Sequence, residues 1–155
     1  MLCCGRKEGV LEAKKALFAQ FECDKLGELK EYVGCKIDHD YDGRSIKITQ
    51  PVLIQSFEDE FNLPGIAHPT PAQHGDQLCK EDELIDPERH AKYHTGMGKL
   101  LHLMKYSRVD ALNQIRELSR FTNAPSENHW EAMCRAMDYI VSMKNCGLVL
   151  KPDAK

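Results

Sequence analysis

The chain has 155 residues, a hydrophobic content of 42% and a formal net charge of −3 at pH 7, which suits the core of one ordinary domain. The negative net charge argues against indiscriminate nucleic-acid binding, so any contact with DNA or RNA must come from a local basic face. No apolar run is long enough to span a membrane, and no signal peptide is evident. The seven cysteines have no paired spacing, which favours a reducing compartment. We therefore expect an intracellular protein, cytoplasmic or nuclear.

The N-terminal part predicts a helix followed by a β-hairpin. Apolar residues recur at intervals of three and four over residues 5–21, which is typical of an amphipathic helix. Residues 29–38 alternate between apolar and polar and predict a half-buried strand, residues 39–43 predict a turn, and residues 44–49 predict the returning strand. A second helix over 51–62 begins with a proline, whose missing N–H is harmless at a helix start.

An irregular segment separates this part from a helical one. Residues 68–86 contain prolines, glycines and acidic residues and predict a linker. Asp86 is a good N-terminal cap for a helix over 87–107. Gly96 and Gly98 lie inside that helical pattern, which indicates close helix packing rather than a phosphate-binding loop.

Two more helices and a short strand complete the predicted elements. The helices cover 110–121 and 127–143, and the strand covers 147–150. The order of elements predicts an α+β chain with an N-terminal part, 1–67, and a helical part, 87–155.

Short motifs along most of the chain occur together in one known family. They are Asp24 to Ile37, Thr49 to Pro51, Phe57 to Leu63, Tyr93 to Leu103, Ser107 to Asp110, Leu118 to Phe121, Pro125, His129-Trp130, Ala136 to Tyr139 and Gly147-Leu148. In order and spacing they resemble the copia-type retrotransposon polyproteins. Lys25 replaces an expected acidic residue, His94 an arginine and Val109 a proline, which points to a drifting copy.

The resemblance implies a position within the family's reverse transcriptase, an RNA-directed DNA polymerase. The chain would begin just after the Val-Asp-Asp active-site motif and stop before ribonuclease H. Its N-terminal helix and hairpin would form the C-terminal part of the palm, and the later helices would form a thumb or connection region. The family enzyme holds magnesium with aspartates that precede this segment, so we expect no catalytic residue, metal ligand, cofactor or activity in this chain alone.

The resemblance also implies partners and contact residues. The partners would be an RNA or DNA template-primer and the palm, fingers and ribonuclease H regions of the parent enzyme, with no membrane. The hairpin would be the primer grip, with Tyr32, Val33, Gly34 and Lys36 as candidates, and Gly34 suits close approach of a sugar-phosphate backbone. Candidate phosphate contacts on the helices are Lys99, Lys105, Arg108, Arg116 and Arg120.

Less specific interpretations remain open for the same residues. Each basic side chain taken alone is more typical of a solvated surface charge, and the hairpin could simply hold the palm together. The whole chain could also be a small helical protein-interaction or nucleic-acid-binding module without catalysis.

Two patterns invite a metal interpretation, and the sequence favours neither. His90 and His94 can share one face of a helix, but a zinc site would need further ligands such as His68 or His74, so ordinary surface histidines are favoured. The acidic run over 38–42 lacks the later glutamate of a calcium loop, which favours a solvated hairpin turn.

Overall fold

The computed structural model describes residues 5–22, 24, 27–73, 75, 77–81 and 83–152. Within these residues the helices are α1 (Lys7–Gln20), α2 (Pro51–Phe61), α3 (Pro87–Tyr106), α4 (Leu112–Ser119) and α5 (Glu127–Ser142), and a 3-10 turn spans Val109–Ala111. The strands β1 (Glu31–Tyr32), β2 (Cys35–Asp40), β3 (Ser45–Thr49) and β4 (Leu148–Leu150) form one antiparallel sheet in chain order. Lys25, Leu26 and His74 lie outside the described residues.

Helix α3 begins at its predicted start, where a local capping signal is present. The Asp86 carboxylate accepts hydrogen bonds from the N–H groups of Glu88 and Arg89, each at 3.0 Å, which confirms the predicted cap. The predicted helix over 110–121 is partly wrong. Its first residues form the 3-10 turn, and α4 ends at Ser119.

The prediction of a single strand over 29–38 is wrong, because the chain reverses at Val33 and Gly34. Both residues have positive φ, 51° and 73°, as a tight two-residue hairpin turn requires. Tyr32 of β1 therefore lies opposite Cys35 of β2. The polar–apolar alternation continues through the reversal, so periodicity alone did not reveal it.

The turn after β2 also lies later than predicted. β2 runs through Asp40, and the reversal takes place over residues 41–44. The Asp40 carboxylate accepts a hydrogen bond from the Gly43 N–H at 2.9 Å, which is a common use of aspartate in turns. One member of the acidic run is thus committed to closing the turn.

One hydrophobic core joins α2, α3, α4 and α5. Its fully buried members include Ile54, Phe57, Tyr93, Met97, Leu100, Leu103, Ile115, Leu118, Met133, Met137 and Ile140. A side chain at Gly96 would come within 2.8 Å of Met133 Sδ, whereas Gly98 faces open space. Close packing is therefore confirmed at Gly96 and not at Gly98. The described residues between α2 and α3 form no helix or strand, and Leu78 and Ile85 from this segment pack against the core.

The sheet receives its last strand from the C-terminal part of the chain. Leu148 of β4 pairs with Ile48 of β3. A Cβ atom at Gly147 would collide with the backbone oxygen of Ile48 and lie 2.7 Å from Thr49 Cγ2, so β4 can approach β3 only with glycine here. In contrast, α1 buries no residue. No helix in the described parts of the chain has the length and apolar character needed to cross a membrane.

We predict that Gly147→Ala lowers the free energy of unfolding by about 1–3 kcal/mol, because the added methyl group overpacks against backbone that cannot move aside cheaply. Urea denaturation measures the change. Gly98→Ala is the matched control, since nothing lies within 4 Å of its added Cβ. It should raise the free energy of unfolding by about 0.5–1 kcal/mol through helix propensity. Equal effects of the two substitutions would contradict the proposed role of Gly147.

Candidate nucleic-acid interface

The predicted hairpin residues lie together at the β1 edge of the sheet. Tyr32 and Val33 expose 51% and 49% of their surface, and Gly34 is exposed beside them. Lys36, the first exposed position of β2, forms an exposed ion pair with Asp38, with Nζ and Oδ1 3.1 Å apart. Such a pair is worth little in water. The hairpin thus presents an aromatic ring, an open backbone turn and one available cation.

Three of the predicted phosphate contacts on the helices are accessible. Lys105, Arg116 and Arg120 are exposed. Arg120 pairs with Glu117 at 2.6 Å within one helical turn, and the Lys105 ammonium lies 5.2 Å from the ring centre of Tyr106. These exposed contacts are weak and leave the charges free to meet a phosphate.

Lys99 is largely committed to the packing of two helices. Its ammonium contacts the Glu60 carboxylate and donates a hydrogen bond to Ser56 Oγ at 3.0 Å. Only 20% of its side chain is exposed. Lys99 therefore links α3 to α2, and contact with a phosphate would compete with that link.

Arg108 requires a correction, because the structure places it in the interior. Its residue exposure is 1%. The guanidinium binds the Asp110 carboxylate through two nitrogens, at 2.9 and 2.7 Å, and donates to the carbonyl oxygens of Ile140 and Met143 at 3.2 Å each. A guanidinium committed in this way has no surface with which to meet a phosphate.

The neighbours of Arg108 extend this contact into a junction of several elements. Tyr139 donates a hydrogen bond to Asp110 Oδ2 at 2.8 Å, and the hydrogen bonds from Arg108 lower the pKa of the Asp110 carboxyl. Ser107 donates to Gln50 Oε1 at 2.8 Å, and both residues are buried. The Ser107-to-Asp110 motif thus joins the end of α3 to the start of α2 and the end of α5.

A second motif is also internal. Tyr93 donates a hydrogen bond to the carbonyl oxygen of Leu118 at 3.0 Å, and burial raises the pKa of Tyr93 well above its ordinary value. The Phe121 ring stacks on His129, with ring centres 4.0 Å apart. The Leu118-to-Phe121 motif therefore holds α4 against α3 and α5.

His129 caps the helix in which it lies. Its Nδ1 accepts a hydrogen bond from the Ser126 N–H at 3.0 Å and lies 2.7 Å from Ser126 Oγ, and burial lowers the pKa of His129. Both residues are at most 1% exposed. The pair therefore completes a capping box and is too enclosed to serve as a nucleophile and its base.

Sequence patterns did not reveal a cleft between α5 and the described residues of the ranges 62–73 and 77–81. Its volume is about 790 Å³, and Trp130 and Asp138 contribute to its walls. Asp138 Oδ1 accepts a hydrogen bond from the Gly65 N–H at 3.1 Å, its Oδ2 is buried without a partner, and burial raises the pKa of this carboxyl. One wall is irregular chain, which has no periodicity to detect. Among the described residues, no three histidine, cysteine, aspartate or glutamate side chains converge as a metal site.

Comparison with known proteins supports an origin in a retrotransposon Pol polyprotein. The chain is 27% identical over 148 residues to the retrovirus-related Pol polyprotein from transposon TNT 1-94 of Nicotiana tabacum, which covers 90% of this chain and 11% of that polyprotein. It is also 30% identical over 60 residues to secreted RxLR effector protein 161 of Plasmopara viticola, covering 39% of this chain and 42% of that protein. No family model and no solved structure matches the chain.

We predict that Asp110→Asn lowers the free energy of unfolding by about 1–2 kcal/mol, because it removes the charge that compensates a buried guanidinium. The partial exposure of the Asp110 side chain, 43%, keeps the loss below that of a fully buried pair. Asp38→Asn is the control, since it breaks an ion pair whose side chains are about half exposed. It should change stability by less than about 0.5 kcal/mol. If urea denaturation shows that both substitutions lower the free energy of unfolding equally, the proposed role of Asp110 in this junction is contradicted.

We also predict a pH effect that depends on His129. Its pKa in the folded chain lies below the ordinary value of 6.5, so the unfolded chain binds the proton first, and stability falls as the pH drops below that value. Replacement by Gln keeps an acceptor at a capping-box position and removes the titration. When the pH is lowered from about 7.5 to about 5.5, the Tm of the wild-type protein should decrease more than the Tm of His129→Gln. An identical loss in both proteins would contradict this effect.

Proposed function

We propose that this chain is the part of a copia-type reverse transcriptase that follows the catalytic aspartates, and that it positions a template-primer duplex without performing catalysis. The observation that carries the proposal is the exposed hairpin tip of Tyr32, Val33 and Gly34. The order and spacing of the motifs shared with copia-type polyproteins imply that this hairpin is the primer grip. The similarity to a Pol polyprotein over 90% of the chain supports an origin in a retrotransposon Pol polyprotein.

The chemistry of the tip suits a nucleic-acid backbone and an exposed base. A tyrosine ring can stack on a base or sugar, a contact worth about 1–3 kcal/mol per base. The turn at Val33 and Gly34 leaves the backbone open to close approach. Lys36, Lys105 and Arg116 can add phosphate contacts, which position a duplex without reading its sequence.

The proposal divides the chain between two regions of the parent enzyme. Helix α1 and strands β1 to β3 would correspond to the rim of the palm, and helices α2 to α5 with β4 would correspond to the thumb or connection region. The 155 residues contain no adjacent pair of aspartates, so the catalytic acids and their magnesium would belong to other regions of the polyprotein. The isolated chain should therefore bind a duplex weakly and extend no primer.

We predict that the chain binds a fluorescently labelled RNA–DNA duplex at low salt and that Tyr32→Ala weakens the affinity about tenfold, as loss of one stacking contact would. Fluorescence anisotropy measures the affinity. Tyr41→Ala is the matched control, because Tyr41 is an exposed tyrosine, 67% accessible, at the other turn of the sheet. It should leave the affinity unchanged.

Salt dependence gives the second arm of the same experiment. Lys36→Gln should reduce the slope of log affinity against log salt by about 1, because one phosphate contact and its released counterion are lost. The proposal fails if the wild-type chain shows no binding at low salt, or if Tyr32→Ala and Tyr41→Ala bind equally well. Primer extension by the purified chain with magnesium or manganese would also overturn it.

A further inference from the structure

Two histidines near the start of α3 have the spacing of a metal chelate. His90 and His94 lie one helical turn apart, and their ring centres are 4.9 Å apart with 41° between the ring planes. Imidazoles that share one tetrahedral ion at a nitrogen–metal distance of about 2.0–2.1 Å have ring centres about 5 Å apart. The observed spacing therefore matches that of two rings on one ion.

The hydrogen bond of His90 selects the tautomer of the neutral ring that a metal needs. Its Nε2 lies 2.9 Å from the carbonyl oxygen of Thr122. A carbonyl can only accept, so Nε2 carries the proton, and Nδ1 of the neutral ring keeps its lone pair. Metal-binding histidines usually donate their second N–H to a carboxylate or carbonyl in this way, which fixes the ring and strengthens the ligand.

The surroundings leave room for an ion with water ligands. His94 is exposed and His90 is half-buried, so solvent reaches the pair. His68, which the sequence offered as a third ligand, instead lines the cleft beside α5. No third protein ligand joins the pair within the described residues, so the remaining coordination positions would be open to water. Imidazole ligands favour zinc, copper and nickel over magnesium and calcium.

We propose that His90 and His94 together bind one late first-row transition-metal ion, such as Zn²⁺, through one ring nitrogen each, with water completing the coordination. This site is independent of the hairpin tip and of duplex binding.

Isothermal titration calorimetry of the untagged full chain with zinc chloride tests the site. His94→Gln should weaken zinc binding at least about tenfold, because a single imidazole lacks the effective concentration of the second ligand. His102→Gln is the control, since His102 packs on Tyr106 further along α3, with ring centres 4.9 Å apart. It should leave the affinity unchanged, and magnesium chloride should produce no binding.

The cysteines are competing zinc ligands, so a second readout locates the ion. Nitrogen-15 NMR of the imidazole rings should show a zinc-induced shift at His90 Nδ1 while Nε2 keeps its proton. The proposal is overturned if His94→Gln and wild type bind zinc equally well, if zinc leaves the His90 ring resonances unchanged, or if the wild-type chain binds no zinc.

Discussion

The buried guanidinium of Arg108 is the constraint on which the rest of the structure depends. An uncompensated charge in the interior costs several kcal/mol, so Asp110 and the carbonyl oxygens of Ile140 and Met143 must all be in place. Those carbonyls lie at the end of α5. The contact thus fixes the point from which the chain continues to Gly147 and into β4, and so determines where the last strand meets the sheet.

The motifs that carry the family resemblance differ in what they do. Most of those in the helical part are internal: Arg108 binds the end of α5, Tyr93 and Leu118 join α3 to α4, and Phe121 stacks on His129. They hold the helices together and leave few functional groups free. The hairpin tip is different, because Tyr32 is half exposed and is not needed to complete the core. Stability alone explains the internal motifs, so the exposed tip is the better indicator of function.

Local signals predicted the helices well, and distant contacts limited the rest. The Asp86 cap and the proline at the start of α3 were visible within a few residues of sequence. The reversal at Val33 and Gly34 was missed because strand alternation looks the same on both sides of a two-residue turn. The sequence predicted Arg108 as a phosphate contact because Ile140 and Met143, whose carbonyls it binds, lie 32 and 35 residues further along the chain. A charged side chain gives no sign in the sequence that it will be buried.

The contacts between the sheet and the helices imply that both unfold together, although the sheet and the helices come from different parts of the chain. The hydrogen bond between Ser107 and Gln50 and the return of β4 to β3 cross the boundary between the two. Native-state hydrogen exchange tests this directly, because it gives the opening free energy of each backbone amide. We expect Ile48 in β3 and Met137 in α5 to open with the same free energy and the same denaturant dependence. If the Ile48 amide exchanges through a local opening with a much lower free energy than that of Met137, the Arg108 junction does not stabilise the sheet.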